Sequence, residues 1–143
     1  MTPAPVALIT GIRGQDGWYL ARRLLELGHR VVGTTHLRDQ SGAIAIDGHD
    51  VPMAAVDLGD MASIEAVIRR EQPDEIYNFA ARASSAQLFD DPLATADING
   101  VAVARLLEAI RRHAPEARFC QASSSEIFAG AAVSPQDETT PRL

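Results

Sequence analysis

The chain has 143 residues, of which 46% are hydrophobic and 22% charged, and it carries a net charge of −6 at pH 7. That length suits one domain, able to bury roughly two-thirds of its unfolded surface in a core. The acidic balance excludes a general electrostatic grip on nucleic acid or on an anionic membrane, while leaving room for a phosphate held by local donors and one or two Arg side chains. The single cysteine, Cys120, has no partner for an internal disulfide or a CxxC metal site. The four histidines, His29, His36, His49 and His113, are scattered, so no metal site is expected. The N-terminal MTPAPVALIT lacks a basic segment and holds two prolines, which is unlike a signal peptide. No run of about 18 apolar residues occurs, so no membrane span is expected. The expected location is cytoplasmic.

Pro5 to Thr10 (PVALIT) is a short apolar run and reads as a strand buried on both faces. After the glycines of 11–17, Trp18, Leu20, Leu24, Leu25 and Leu27 recur at helical spacing, and Gly28 is a natural stop. Trp18, Tyr19 and the neighbouring leucines are expected in the core. Arg30 to Thr35 (RVVGTT) is a second strand, and the polar, Gly-containing residues 36–50 read as a loop. Val51 to Val56 is a third strand. Asp60 caps a helix over Met61 to Arg70, with Ile64, Val67 and Ile68 as its apolar stripe, and Pro73 ends it. Glu75 to Ala80 (EIYNFA) is a fourth strand in which Tyr77 packs. Asp90 and Asp91 before Pro92 mark a helix start. Leu93 to His113 then reads as one long helix despite Gly100, and Arg118 to Ala122 is a fifth strand with Cys120 as a buried, inert thiol. Strands alternating with helices predict an α/β fold, a doubly wound parallel sheet.

Thr10-Gly11-Ile12-Arg13-Gly14-Gln15-Asp16-Gly17 is the strongest signal, with glycines in a G-x-x-G-x-x-G spacing. Gly11 permits a tight turn out of the strand, Gly14 lets backbone N–H groups approach a pyrophosphate, and Gly17 lets the helix pack close on the strand. Three glycines alone could make an ordinary turn. Following a buried strand and opening an amphipathic helix, they predict a dinucleotide site at the helix N-terminus. An NAD site usually has Asp or Glu at the end of the second strand to accept from the ribose 2′-hydroxyl. This strand runs Thr34-Thr35-His36-Leu37-Arg38, with no acid before Asp39. Hydroxyl, imidazole and guanidinium groups suit a 2′-phosphate, so NADP is expected over NAD, with Arg38 as its partner. The alternative for Arg38 is a solvated loop charge.

These residues resemble the extended short-chain dehydrogenase/reductases that modify nucleotide sugars, a Rossmann-fold group, and within it the GDP-mannose 4,6-dehydratase family. The matching stretches are ALITGIRGQDG (7–17), VDLGD (56–60), QPDEIYNFAA (72–81), ADIN (96–99), LLEAI (106–110), QASSSE (121–126) and ETTP (138–141). The resemblance implies that Asp57 and Leu58 contact the adenine, that Ala80 and Ala81 line the ribose and pyrophosphate, and that Ser123 lies at the nicotinamide end. It implies that Ser124, where these enzymes commonly have Thr, hydrogen-bonds the sugar's 4-oxygen. Glu126 then matches the acid/base that removes the C5 proton. Oxidation at C4 leaves a ketone that acidifies C5–H, so a carboxylate can take that proton as water leaves from C6. A Ser three residues before a Glu is equally a helix capping box. Its place beyond the fifth strand, where ligands sit in such sheets, favours the catalytic reading.

The family's Tyr-x-x-x-Lys pair does not occur here. The chain therefore reads as the cofactor-binding part of such an enzyme, truncated before that pair and the substrate domain and not expected to turn over substrate by itself. Two further departures bear on partners. The segment 36–50 is short where the family often joins subunits, and Arg82, Ala83 and Ser84 replace the usual Gln-Ser-His beside the sugar. The implied substrate is a nucleotide sugar, GDP-mannose, converted to GDP-4-keto-6-deoxymannose. Competing readings are an epimerase or 4-keto reductase of the same group, or a non-catalytic dinucleotide-binding module. The helix from Leu93 to His113 suggests a homodimer. The alternative is that its stripe only packs on the sheet.

Overall fold

The computed structural model describes residues 3–83 and 89–142, and the side chain of Arg38 lies outside that description. A six-stranded sheet runs in the order β3-β4-β2-β1-β5-β6. Its strands are β1 (Val6–Thr10), β2 (Arg30–Thr35), β3 (Gly42–Ile46), β4 (His49–Ala55), β5 (Glu75–Asn78) and β6 (Arg118–Gln121). All neighbouring pairs are parallel except β3 with β4. The expected doubly wound sheet is therefore present, with an antiparallel edge.

Side chains alternate between the two faces, as the pleat requires. On one face Leu8, Val32 and Ile76 pack against Ile64, Val67 and Ile68 of α2 (Met61–Glu71). Leu106, Ala109 and Ile110 of α4 (Ala102–His113) complete that layer. On the other face Ala7, Ile9 and Val31 pack against Ala21 and Leu24 of α1 (Gln15–Glu26). Each fully buried Leu or Ile contributes about 1.5–3 kcal/mol, so these two layers carry the fold. Asp60 caps α2 by accepting from the Ala62 amide, and Asp91 caps α3 (Pro92–Ala96) by accepting from Ala94.

Four expectations need correction. Residues 36–50 are not a plain loop. They contain a 3-10 turn (Arg38–Gln40), the whole of β3 and the start of β4. Asp47 (φ 47°) and Gly48 (φ 81°) supply the two left-handed residues of a tight hairpin turn. The helix from Leu93 to His113 is not uniform, since a π segment, Asp97–Val101, separates α3 from α4. Its stripe divides accordingly: Leu106 and Ile110 are buried, whereas Leu93, Val101 and Leu107 are exposed. Cys120 is exposed. It lies on edge strand β6, at the far side of the sheet from the strands that α1 covers. Tyr19 is 58% exposed, while Trp18 packs against the core layer. The two rings meet edge to face at 5.2 Å.

Candidate dinucleotide site

The carboxyl ends of β1, β2, β4 and β5 open into one cavity of about 570 Å³, in the size range of small-molecule sites. Gly11 and Gly14 form its floor, Thr34 to His36 one rim, Asp57 and Leu58 another, and Ala80 to Arg82 a third. The topology dictates this place. β1 sends its helix and β2 to one side, whereas β5 lies on the other, and the crevice opens where the order reverses.

The glycine turn is shaped by close approach. Gly11 has φ +69°, and a Cβ there would lie 2.8 Å from the Ala80 amide nitrogen. A Cβ on Gly17 would lie 2.5 Å from the Gly11 carbonyl oxygen. The Gly14 amide closes the turn by donating to the Gly11 carbonyl at 2.9 Å. Gly14 is the N-cap of α1, and no side chain caps that helix. The amides of Gln15, Asp16 and Gly17 in the first turn have no intrahelical acceptor, so they present donors and the positive end of the helix dipole to an anion. A bare cradle with uncapped amides fits a pyrophosphate.

Thr10 is buried and does not line the cavity. Its hydroxyl donates to Asn78 Oδ1 and accepts from the Ala80 amide at 3.1 Å. Asn78 in turn donates to Gln121 Oε1 at 2.7 Å. These bonds tie the ends of β1, β5 and β6 into one platform. On the opposite rim, the Asp57 amide donates to Ser63 Oγ at 3.0 Å and Asp57 Oδ1 accepts from Gly59 at 2.8 Å. Leu58 is 7% exposed and forms wall.

Of the residues picked out from sequence, Gly11, Gly14, Asp57, Leu58, Ala80 and Ala81 meet in this cavity. Gly17 is buried behind them, and Gln15 and Asp16 are exposed at the helix start. Arg38 begins the 3-10 turn after β2, and its side chain lies outside the described residues, as does Ser84. Ser123, Ser124 and Glu126 are exposed beyond β6 and are not part of the cavity lining. Ser124 caps a short 3-10 turn (Ser125–Phe128), its Oγ accepting from the Glu126 amide at 3.1 Å. The local cap thus uses Ser124, not the Ser123 of a capping box, and the Ser124 O–H remains a potential donor.

Sequence reasoning missed Arg13, Gln40, Phe79 and Ile98 as lining residues. Arg13 sits at a variable position of the glycine spacing, which carries no template. Its guanidinium reaches the Gln40 carbonyl at 3.4 Å, across from the glycine turn to the segment after β2. Among the described residues, three basic side chains, Arg13, His36 and Arg82, line the cavity against one acid, Asp57. Asn99 was read only as part of a matching stretch. Its amide group holds the backbone of Arg82 from both sides, at 2.8 and 3.0 Å.

A family model described as GDP-mannose 4,6 dehydratase matches residues 8–142. The chain is 41% identical to a GDP-mannose 4,6-dehydratase of Yersinia enterocolitica, over 94% of this chain and 39% of that protein. It is 39% identical to GDP-mannose 4,6 dehydratase 1 of Arabidopsis thaliana, over 97% of this chain and 42% of that protein. The chain thus spans about two fifths of the curated relatives it matches. Among solved structures it resembles UDP-glucose 4-epimerase of Thermus thermophilus in complex with NAD, with a TM-score of 0.78, 27% identity, and 96% of this chain and 44% of that chain covered. A UDP-glucose 4-epimerase of Stenotrophomonas maltophila, at TM-score 0.83 and 24% identity over 99% of this chain and 43% of that one, shares the fold. With the family model covering nearly its whole length and the Gly-Gln-Asp-Gly turn set at the switch point of a doubly wound sheet, the chain belongs to the GDP-mannose 4,6-dehydratase family.

Proposed function

We propose that the whole protein carrying this chain is an NADP-dependent GDP-mannose 4,6-dehydratase, and that this chain supplies its dinucleotide-binding part. The observation that carries the reading is the uncapped glycine cradle facing a cavity at the switch point. Gly11, Gly14 and the first-turn amides of α1 hold the pyrophosphate. Asp57 and Leu58 border the adenine, and Ala80 and Ala81 the ribose. When bound, the nicotinamide supplies reversible storage of the electron pair taken from sugar C4 and returned at C6. Ser123 borders that ring, and Ser124 donates its O–H to the sugar's 4-oxygen. Glu126 takes the C5 proton once C4 is a carbonyl and passes it to the C6 hydroxyl, which leaves as water.

NADP is preferred over NAD because the end of β2 offers Thr34, Thr35 and His36 and no carboxylate, with Arg13 opposite and Arg38 two residues beyond His36 in the chain. A 2′-phosphate gains from cations there, whereas a 2′-hydroxyl needs an acceptor. The reading includes a cytoplasmic location. No helix among the described residues is long and apolar enough to cross a membrane. It also includes a homodimer formed through the outer face of the α3–α4 run, where Leu93, Val101 and Leu107 are exposed. Sedimentation of the whole protein as a monomer removes that part. The likeness to an epimerase holding NAD supports a second reading, sugar epimerisation.

The deciding experiment incubates the whole protein with GDP-mannose and NADP⁺ and weighs the product. A nucleotide sugar lighter by one water, absent with Glu126→Gln, is the expected result. Intact mass with inverted stereochemistry selects the epimerase, and intact GDP-mannose with clear NADPH binding overturns the reaction while keeping the cofactor.

A further inference from the structure

The π segment Asp97–Val101 reaches two rims of the cavity, the Arg82 backbone through Asn99 and the Leu58 carbonyl through the Asp97–Arg105 ion pair. Arg105 on α4 donates from Nη2 to Asp97 Oδ1 at 2.8 Å and from Nη1 to the Leu58 carbonyl at 3.3 Å. The guanidinium feels the negative charge of Asp57 as well as that of Asp97. Gly59 sits between the same carboxylates, since a Cβ on it would lie 3.1 Å from Asp57 Oδ1 and 3.3 Å from Asp97 Oδ2. The next residue of the π segment, Ile98, lines the cavity beside Leu58. A π turn inserted in a long helix costs hydrogen-bond regularity and commonly occurs at functional sites. Here it sets Asp97 where Arg105 can bridge it to the loop after β4.

We propose that Asp97 and Arg105 are positioning residues for the adenine half of the dinucleotide: Arg105, held by Asp97, grips the Leu58 carbonyl and fixes where Asp57 and Leu58 meet the ligand. The inference rests on the dinucleotide reading of the cavity. Neither side chain lines the cavity, so both act through the loop. An ion pair exposed to this degree (24% and 38%) contributes little to folding stability. Its effect belongs in ligand affinity.

The test uses the whole protein, with dissociation constants for NADP⁺ and for 2′,5′-ADP measured by calorimetry and the unliganded melting temperature measured in parallel. Arg105→Met keeps the stem and removes both donors. It is expected to weaken NADP⁺ and 2′,5′-ADP by the same factor, roughly tenfold, because the two ligands share the adenine half. Arg105→Lys keeps the charge without the two-pronged geometry and recovers part of the affinity. Asp97→Asn weakens both ligands too, and adding it to Arg105→Met brings little further loss, because the pair acts as one unit. A lower melting temperature with both affinities unchanged overturns the proposal in favour of a merely structural pair. Weakening of NADP⁺ without 2′,5′-ADP overturns it in favour of an action elsewhere in the site. If the unsubstituted protein binds neither nucleotide nor NAD⁺, the dinucleotide reading fails and this inference with it, a result unlike variants that bind as well as the parent.

Discussion

Two Gly→Ala substitutions in the helical parts of this chain are expected to have opposite signs. In a helix, Ala is favoured over Gly by about 1 kcal/mol. At Gly100, inside the π segment, a Cβ meets nothing within 4 Å, so Gly100→Ala is expected to gain about 0.5–1 kcal/mol. At Gly17 the same methyl would lie 2.5 Å from the Gly11 carbonyl oxygen and 2.7 Å from the Ile12 Cα. Both are backbone atoms that no rotamer change can move, so the overpacking cost lies near the top of its range, about 3 kcal/mol. Subtracting the propensity gain leaves a net loss of about 2 kcal/mol. Because the displaced atoms belong to the glycine turn, Gly17→Ala is also expected to weaken dinucleotide binding, and Gly100→Ala is not. Denaturant unfolding of the whole protein and its two variants, with NADP⁺ calorimetry, reads all of this. A Gly17→Ala protein as stable as the parent, or equal losses at both positions, would refute the close-approach reasoning.

Thr10→Val leaves the Ala80 amide and Asn78 Oδ1 without their partner and is expected to cost about 2–3 kcal/mol. Thr10→Ser restores most of that loss in the same unfolding assay. The Tyr77 phenol, pushed up to about 12 by burial and then by its hydrogen bond to Glu75, favours the folded state while protonated. Its contribution is complete below pH about 10 and is lost as pH rises through about 12. Alkaline unfolding should therefore lose that step in Tyr77→Phe, and an unchanged profile counts against the assignment. Arg13→Ala is expected to lower the preference for NADP⁺ over NAD⁺ about tenfold at low salt. Because Arg13 is exposed, the parent's preference should shrink between about 0.05 and 0.5 M salt. A preference indifferent to both changes places the 2′-phosphate elsewhere.

The parts of the fold legible in the sequence were those where burial and local chemistry agree. Val6–Thr10 is buried along nearly its whole length and reads as a continuous apolar run, and Arg30–Thr35, buried after Arg30, was read as the second strand. Asp60 and Asp91 cap the helices expected of them. The hairpin of β3 and β4 escaped because β3 is an exposed edge strand of Gly, Ala and Ile, with almost no polar alternation. The Asp47-Gly48 pair was the available signal, hidden in a polar stretch. Cys120 and Tyr19 were assigned by residue type, yet burial is set by which strand or helix face a residue occupies. For the site, the glycine spacing located the close-approach turn between β1 and α1 that borders the cavity. Arg13, Ile98 and Arg105 could not be found that way, because their relevance comes from contacts between segments distant in sequence.

That division has a physical origin in the order of the sheet. The glycine turn is local: one strand, one turn and one helix start suffice, so residues 10–17 specify it together. The remaining rims come from three separate crossovers whose strand ends reach the cavity only because β1 lies between β2 and β5. The Thr10–Asn78–Gln121 chain sets the level of one rim. The Asp97–Arg105–Leu58 bridge holds the other. On the proposed dinucleotide reading, a substitution in that turn acts on the phosphates directly. One in either chain of hydrogen bonds acts on the ligand at a distance, through backbone position, which is why affinity for half-ligands can separate the two kinds of residue where a melting temperature does not.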